Sequence, residues 1–297
     1  MFGRRPDGDL VRDVPPLRRI MPHIMERRNE SAVYFEQKIR ARGVEELVAA
    51  LRDRGVRASV LHVVIWAIAQ TLHDRPRLNR FVAGGRIYQR RGIWISFSAK
   101  KAKDDAHPII ALKREVDPAW GLEALVAQIE AAIGEGRSDR RSATDRELGL
   151  IFLLPTFLVR AVVRLEMLLD RWGLLPRAFI ESDPLYSSVM VANLGSLDMD
   201  APFHHLYEYG TISIFVSVGR TQPELAPSAG GSAEVVPMIT MRYTFDERIE
   251  DGLYCLRALE RFKVIVEDPA RALREHAEQR AQEAPSREPS TSDARRR

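Results

Sequence analysis

The chain has 297 residues, of which 45% are hydrophobic and 29% charged, with a single cysteine and a formal net charge of +4. That length buries a full core as one large domain or two small ones. Cys255 alone excludes a disulfide scaffold and a cysteine-based metal site, and a reducing, cytoplasmic setting is the default expectation. The positive charge is spread along the chain without an aromatic-studded basic surface, which argues against a nucleic-acid module. Residues 1–19 hold no apolar segment of the secretory type.

Residues 1–16, with Pro6, Pro15 and Pro16 among charges, predict a loosely held arm. A helix follows over 17–28 on the spacing of Leu17, Ile20, Met21, Ile24 and Met25, despite Pro22. Alternation from Val33 to Ile39 reads as a strand. Residues 43–54 read as a helix with Val44, Leu47, Val48 and Leu51 inward, ended by Gly55. Ser59 then caps a more apolar helix over 60–72, buried on most sides. After the turn Pro76-Arg77-Leu78-Asn79 come three predicted strands at 86–88, 93–98 and 107–114, and a helix over 120–133.

Residues 137–146 are polar and predict an exposed link. The next stretch, 148–176, opens with a run that is apolar apart from Thr156 yet about half the length a membrane-spanning helix requires. Leu158, Val162, Leu165, Leu169 and Trp172 continue it as one helical face. The expected role is packing on the core or on a neighbouring subunit; the alternative is binding at a membrane surface. Strands are predicted at 188–195 and 211–220, a surface loop at 223–233, a strand at 237–245 and a helix over 253–267 ended by Asp268-Pro269. A short helix at 270–280 passes into a polar tail at 284–297 of disordered composition.

Between the strand ending at Phe245 and the helix beginning at Leu253 lies Asp246-Glu247-Arg248-Ile249-Glu250-Asp251-Gly252. A polar strand-to-helix corner of this kind can point side chains into a cleft. It resembles the Asp-His-Arg-x-x-Asp-Gly signature of 2-oxoacid dehydrogenase dihydrolipoyl acyltransferases and of the similar chloramphenicol acetyltransferases. Asp246, Arg248, Asp251 and Gly252 match, and Glu247 stands where that family has its catalytic histidine. The Pro-x-Leu-Asn turn at 76–79 and the Asn193-Leu194-Gly195 turn agree with the same family in the same order, so the resemblance spans about 17–269, interrupted by an insertion at about 147–185.

The resemblance implies an α/β two-layer sandwich of the chloramphenicol acetyltransferase type, a mixed sheet with helices on one face plus the helical insertion. On that basis residues 17–277 form the catalytic-type domain, 1–16 an arm and 278–297 a tail. It also implies a homotrimer with a channel at each subunit boundary, assembly into a larger cage, CoA or acyl-CoA as substrate with a small-molecule thiol, and no metal. No lipoyl domain precedes the core-like helix at Leu17, so a stand-alone protein is expected.

Acyl transfer needs a base for the thiol proton and donors for the tetrahedral oxyanion. The candidates are Glu247, His204 and His205 for the first, and Asn193 for the second, because Ala192 occupies one candidate position for the hydroxyl that the resemblance implies, and Ser188 and Ser196 are substitutes without a clear match. Asp251 and Arg248 are the expected structural charges of the corner, with Gly252 beside them. A carboxylate is a poor base toward a thiol unless burial raises its pKa, whereas histidine titrates near neutrality. An inactive homologue serving as an oligomeric or regulatory scaffold is the second reading. His204-His205 are adjacent, with no spacing that suggests a metal.

Overall fold

A computed structural model describes residues 5–100, 109–137, 154–227 and 231–283. The predicted link at 137–146, the apolar opening of the insertion and the tail at 284–297 fall wholly or largely outside these residues.

Six strands form the main sheet: β2 (Ala32–Arg40), β5 (Trp94–Lys100), β6 (Ile109–Glu115), β7 (Val189–Asn193), β8 (Ile214–Pro227) and β9 (Ala233–Asp246), in spatial order β2-β9-β8-β7-β5-β6. The sheet is mixed: β7 pairs in parallel with β5 and β8, and the other neighbours are antiparallel. Helices α2 (Arg42–Asp53), α3 (Val60–Asp74), α4 (Leu122–Arg137), α7 (Gly252–Glu267) and α8 (Pro269–Glu283) bring apolar residues into one core with one face of this sheet. This is the two-layer α/β arrangement expected.

The central helix is α3, buried from Leu61 to Leu72, because its sequence is apolar around the whole circumference. Two polar side chains within it find backbone partners: Trp66 Nε1 donates to Trp120 O at 3.1 Å and Gln70 Nε2 to Pro118 O at 2.8 Å. At its start the Ser59 N–H donates to His62 Nδ1 at 3.1 Å, the return half of a capping box. Burial, with Arg52 nearby, pulls the His62 pKa down to about 4.

A second, three-stranded sheet has the order β1-β4-β3; the sequence reading placed a strand at 86–88, within β4, and missed β1 and β3. It contains β1 (Gly8–Leu10), β3 (Arg80–Ala83) and β4 (Arg86–Arg90). Short strands rich in arginine carry weak alternation, and β1 is held by pairing with residues about 80 positions away, Gly8 opposite Arg90. The segment expected as a loose arm therefore supplies a strand, and Arg5 is buried with Asp7 and Asp170 as partners at 2.9 and 2.7 Å. Other boundaries also move. Helix α1 spans Pro16–Ile24 rather than reaching 28, and helix α8 continues to Glu283, past the expected start of the tail. The expected loop at 223–233 is largely a hairpin, with Pro223 opposite Pro237 and Pro227 opposite Ala233. Its side chains leave the core, so alternation there carries little apolar contrast.

The insertion forms α5 (Thr156–Trp172), ended by the left-handed Gly173, and α6 (Arg177–Ser182). No residue of α5 is fully buried. Its last turn is anchored through Asp170 to Arg5, and the carbonyl of Arg171 lies against Gly84 in the β3–β4 turn.

Candidate active site at the strand-to-helix corner

The corner after β9 is held from both sides of the backbone. Asp246, fully buried, receives Arg248 Nε and Nη2 at 2.8 Å each, the Arg248 N–H at 3.1 Å and the Ser31 hydroxyl at 3.0 Å. The remaining guanidinium nitrogen, Nη1, donates to Met25 O and Glu26 O at 3.0 Å. Forked, charge-assisted hydrogen bonds of this kind fix both position and plane.

The salt bridge of the corner is therefore Asp246–Arg248. The expected pairing of Arg248 with Asp251 gives way, because Asp251 is the N-cap of α7: its carboxylate accepts the Tyr254 N–H at 2.8 Å and lies below its ordinary pKa chiefly for that reason. Gly252 opens α7, and a Cβ there would meet no atom of this chain. Glu250 was not singled out by sequence. It is buried, accepts from Arg80 Nη1 at 3.1 Å and lies 3.4 Å from Arg77, which ties the corner to the Pro76–Leu78 turn and β3. Its partners stand some 170 positions away, so no local pattern announces it.

Glu247 is fixed by its main chain. Its N–H donates to Ser31 O at 2.8 Å, its carbonyl accepts Arg18 Nη1 at 2.6 Å, and its side chain is exposed. Among the described residues no hydrogen bond or ion pair reaches its carboxylate. The frame thus presents residue 247 outward at a set position without desolvating it.

His204 and His205 approach the same end of the sheet by another route. The His204 carbonyl accepts the Thr244 hydroxyl, two residues before Asp246, and its ring stacks on Phe215 at 3.9 Å. Glu208 accepts the backbone N–H groups of Arg28 and Asn29, while Arg28 Nη1 donates to Tyr207 O at 2.9 Å. The turn at 25–31 is therefore shared between the histidine segment and the corner. His204 Nδ1 lies 2.7 Å from His205 O, and His205 Nδ1 lies 2.9 Å from Leu206 O. A carbonyl only accepts, so in each ring Nδ1 carries a proton toward it. Burial holds His204 below the ordinary histidine pKa and so neutral. His205 is the more exposed of the two.

Asn193 does not join this group within one chain. It pairs with Val218, whereas Phe245 pairs with Ile214, which puts them four residues apart along β8, about 13 Å at about 3.3 Å per residue. Ala192 beside it pairs with Ser217, whose buried hydroxyl has no hydrogen-bond partner among the described residues. The sequence reading missed Ser217, since nothing local distinguishes it from a strand serine. Cys255 lies one turn into α7, but burial pushes its thiol up to about 12 and leaves it inert. No group of residues suited to a metal ion occurs among the described residues.

This fold matches known structures. The fold is that of dihydrolipoyl acyltransferase catalytic domains and chloramphenicol acetyltransferase. Dihydrolipoamide acetyltransferase from Azotobacter vinelandii superposes with a TM-score of 0.59 at 15% identity, over 89% of this chain and 94% of that one. The cubic core of a pyruvate dehydrogenase multienzyme complex gives 0.58 at 14%, over 89% and 94%. A chloramphenicol acetyltransferase gives 0.54 at 10%, over 88% and 98%. No protein-family model matches the sequence, and no curated protein does.

Proposed function

We propose that the chain is a CoA-dependent acyltransferase that works at a boundary between copies of itself, with a histidine of the 204–205 pair as the base. The observation that carries this reading is how the histidine segment is held: Nδ1 of His205 lies 2.9 Å from the Leu206 carbonyl, and the His204 carbonyl accepts the Thr244 hydroxyl two residues before Asp246. An imidazole fixed through Nδ1 has Nε2 as the nitrogen that would take a thiol proton. Glu247, held at the apex of the corner, is placed to orient the acceptor or the imidazolium once formed. It also remains the alternative base, at a cost in reactivity because it is exposed.

The oxyanion would be met by Asn193 or by the unpartnered hydroxyl of Ser217. These stand about 13 and about 10 Å along the sheet from the corner, so a complete site needs the Asn193 end of one chain to face the corner of another. A homotrimer satisfies this, and the resemblance to a protein of a cubic core supports a further cage.

The second reading, an inactive oligomeric or regulatory scaffold, is favoured by Ala192, which offers no hydroxyl, and by the unprotected carboxylate of Glu247. Calorimetry with CoA separates the two: heat of binding in the micromolar to millimolar range supports the enzyme, and its absence at millimolar CoA leaves only the scaffold. If CoA binds, acyl transfer to a dithiol acceptor should fall on His205→Asn, His204→Asn or both, and less on Glu247→Gln.

A further inference from the structure

We propose that α5 lies in the surface of an anionic lipid bilayer. At about 3.6 residues per turn this helix divides into three stripes. Val159, Val162, Glu166, Leu169 and Asp170 face the protein and are partly covered. The opposite half carries Phe157, Ala161, Leu165, Leu168 and Trp172, with Phe157 70%, Leu165 55% and Leu168 51% exposed. Beside that apolar stripe run Arg160, Arg164 and Arg171, all exposed, and none of the three forms an ion pair among the described residues.

The distribution of charge selects the occupant. Both acids of the helix, Glu166 and Asp170, face the protein, where Asp170 binds Arg5 at 2.7 Å and Glu166 meets the Tyr209 hydroxyl. The outward half is therefore apolar and cationic, with no acid to complement a second copy of the same arginine stripe. Two such helices laid together would bring guanidinium groups against each other. Phospholipid phosphates complement the arginines, and the acyl boundary takes the leucines and Phe157.

The helix cannot span a bilayer: at 17 residues it is interrupted by three outward arginines, and no helix among the described residues is long and apolar enough to cross. Its anchoring suits an in-plane position. The last turn is fixed by Arg5 and by the close approach of Arg171 to Gly84. On the adjoining residue of the same turn, Gly85, His23 of α1 packs, and α1 itself exposes Leu17, Ile20 and Ile24 next to Arg19. Two basic helices with bare apolar residues thus end on one turn.

The test uses the full chain and co-sedimentation with vesicles. The wild type should pellet with mixed phosphatidylcholine–phosphatidylglycerol vesicles and not with pure phosphatidylcholine. Leu165→Glu with Leu168→Glu, both at exposed positions, should abolish this. Arg160→Gln with Arg164→Gln should weaken partitioning about 25-fold, at about fivefold per arginine, and salt should do the same. Circular dichroism controls for helix content in both variants. The proposal fails if the wild type stays in the supernatant with anionic vesicles, or if the leucine variant pellets as well as the wild type. It also fails if, without lipid, the leucine variant has a smaller assembly mass by light scattering, because a second copy then covers the stripe.

Discussion

Arg248 grips Asp246 with two hydrogen bonds of 2.8 Å, and both side chains are shut away from solvent, at 2% and 0% exposure. The pair also seizes the carbonyls of Met25 and Glu26, so it joins the N-terminal turn to the last strand. Removing one partner leaves the other charge buried without compensation, which costs about 3–5 kcal/mol. Arg248→Met should therefore lower the unfolding free energy from denaturant titration by that amount. Glu247→Gln, whose side chain is exposed, should leave it within about 0.5 kcal/mol of the wild type.

A pH dependence follows from His62. In the unfolded chain histidine takes up its proton near pH 6.5, as in model peptides, whereas in the folded protein burial delays this to about 4. Protons therefore favour the unfolded state between these values. The contribution of the neutral cap is present above about 6.5 and is lost as pH falls toward 4. His62→Gln keeps an acceptor at the third helical position and removes the titration. Thermal melts at pH 7 and pH 5 should differ less for this variant than for the wild type.

Gly84 sits in the left-handed region, φ 55°, with the Arg171 carbonyl where a Cβ would be. Alanine there meets both backbone strain and a collision with main-chain atoms, of order 1–3 kcal/mol. The expected result is selective: faster amide exchange through the last turn of α5 and the β3–β4 turn, with α3 still protected. Uniform loss of protection would show instead that the insertion and the core unfold together.

If the architecture still frames a thiol channel, chemistry should be recoverable. Glu247→His combined with Ala192→Ser puts a base at the corner position that the resemblance gives to histidine and a hydroxyl at a candidate oxyanion position. Acyl transfer from acetyl-CoA to a dithiol should rise by about 100-fold or more over the wild type, in the range of a positioned general base. A double variant that binds CoA and remains at the wild-type rate would mean that the two ends do not meet across a subunit boundary.

Much of this was legible in one dimension. The stripes of α2 and α7, the all-apolar α3 and the alternation before Asp246 each announce themselves within a dozen residues, because burial against a single layer imposes a short period. Asp246, Arg248, Asp251 and Gly252 were visible as a motif. The partner of Arg248 was not, since both acids lie within three positions of it and only the cap made by Asp251 leaves Asp246 as the pair. Glu250, Ser217 and β1 were hidden for a different reason: each depends on residues some 25 to 170 positions distant, Arg242, Arg90 and Arg80 among them.

The sequence by itself determined the strand and helix positions, through local periodicity, and the corner with Glu247 in it, through residue identity; the two-layer α/β plan came from the resemblance those residues carry. Only the tertiary structure decided that Glu247 is held by its main chain with its side chain exposed, that His204 and His205 turn Nδ1 toward backbone carbonyls, and that α5 shows its apolar and cationic half outward. Those outcomes depend on which distant carbonyls, carboxylates and rings come within hydrogen-bonding or packing distance, and a linear pattern carries no record of that.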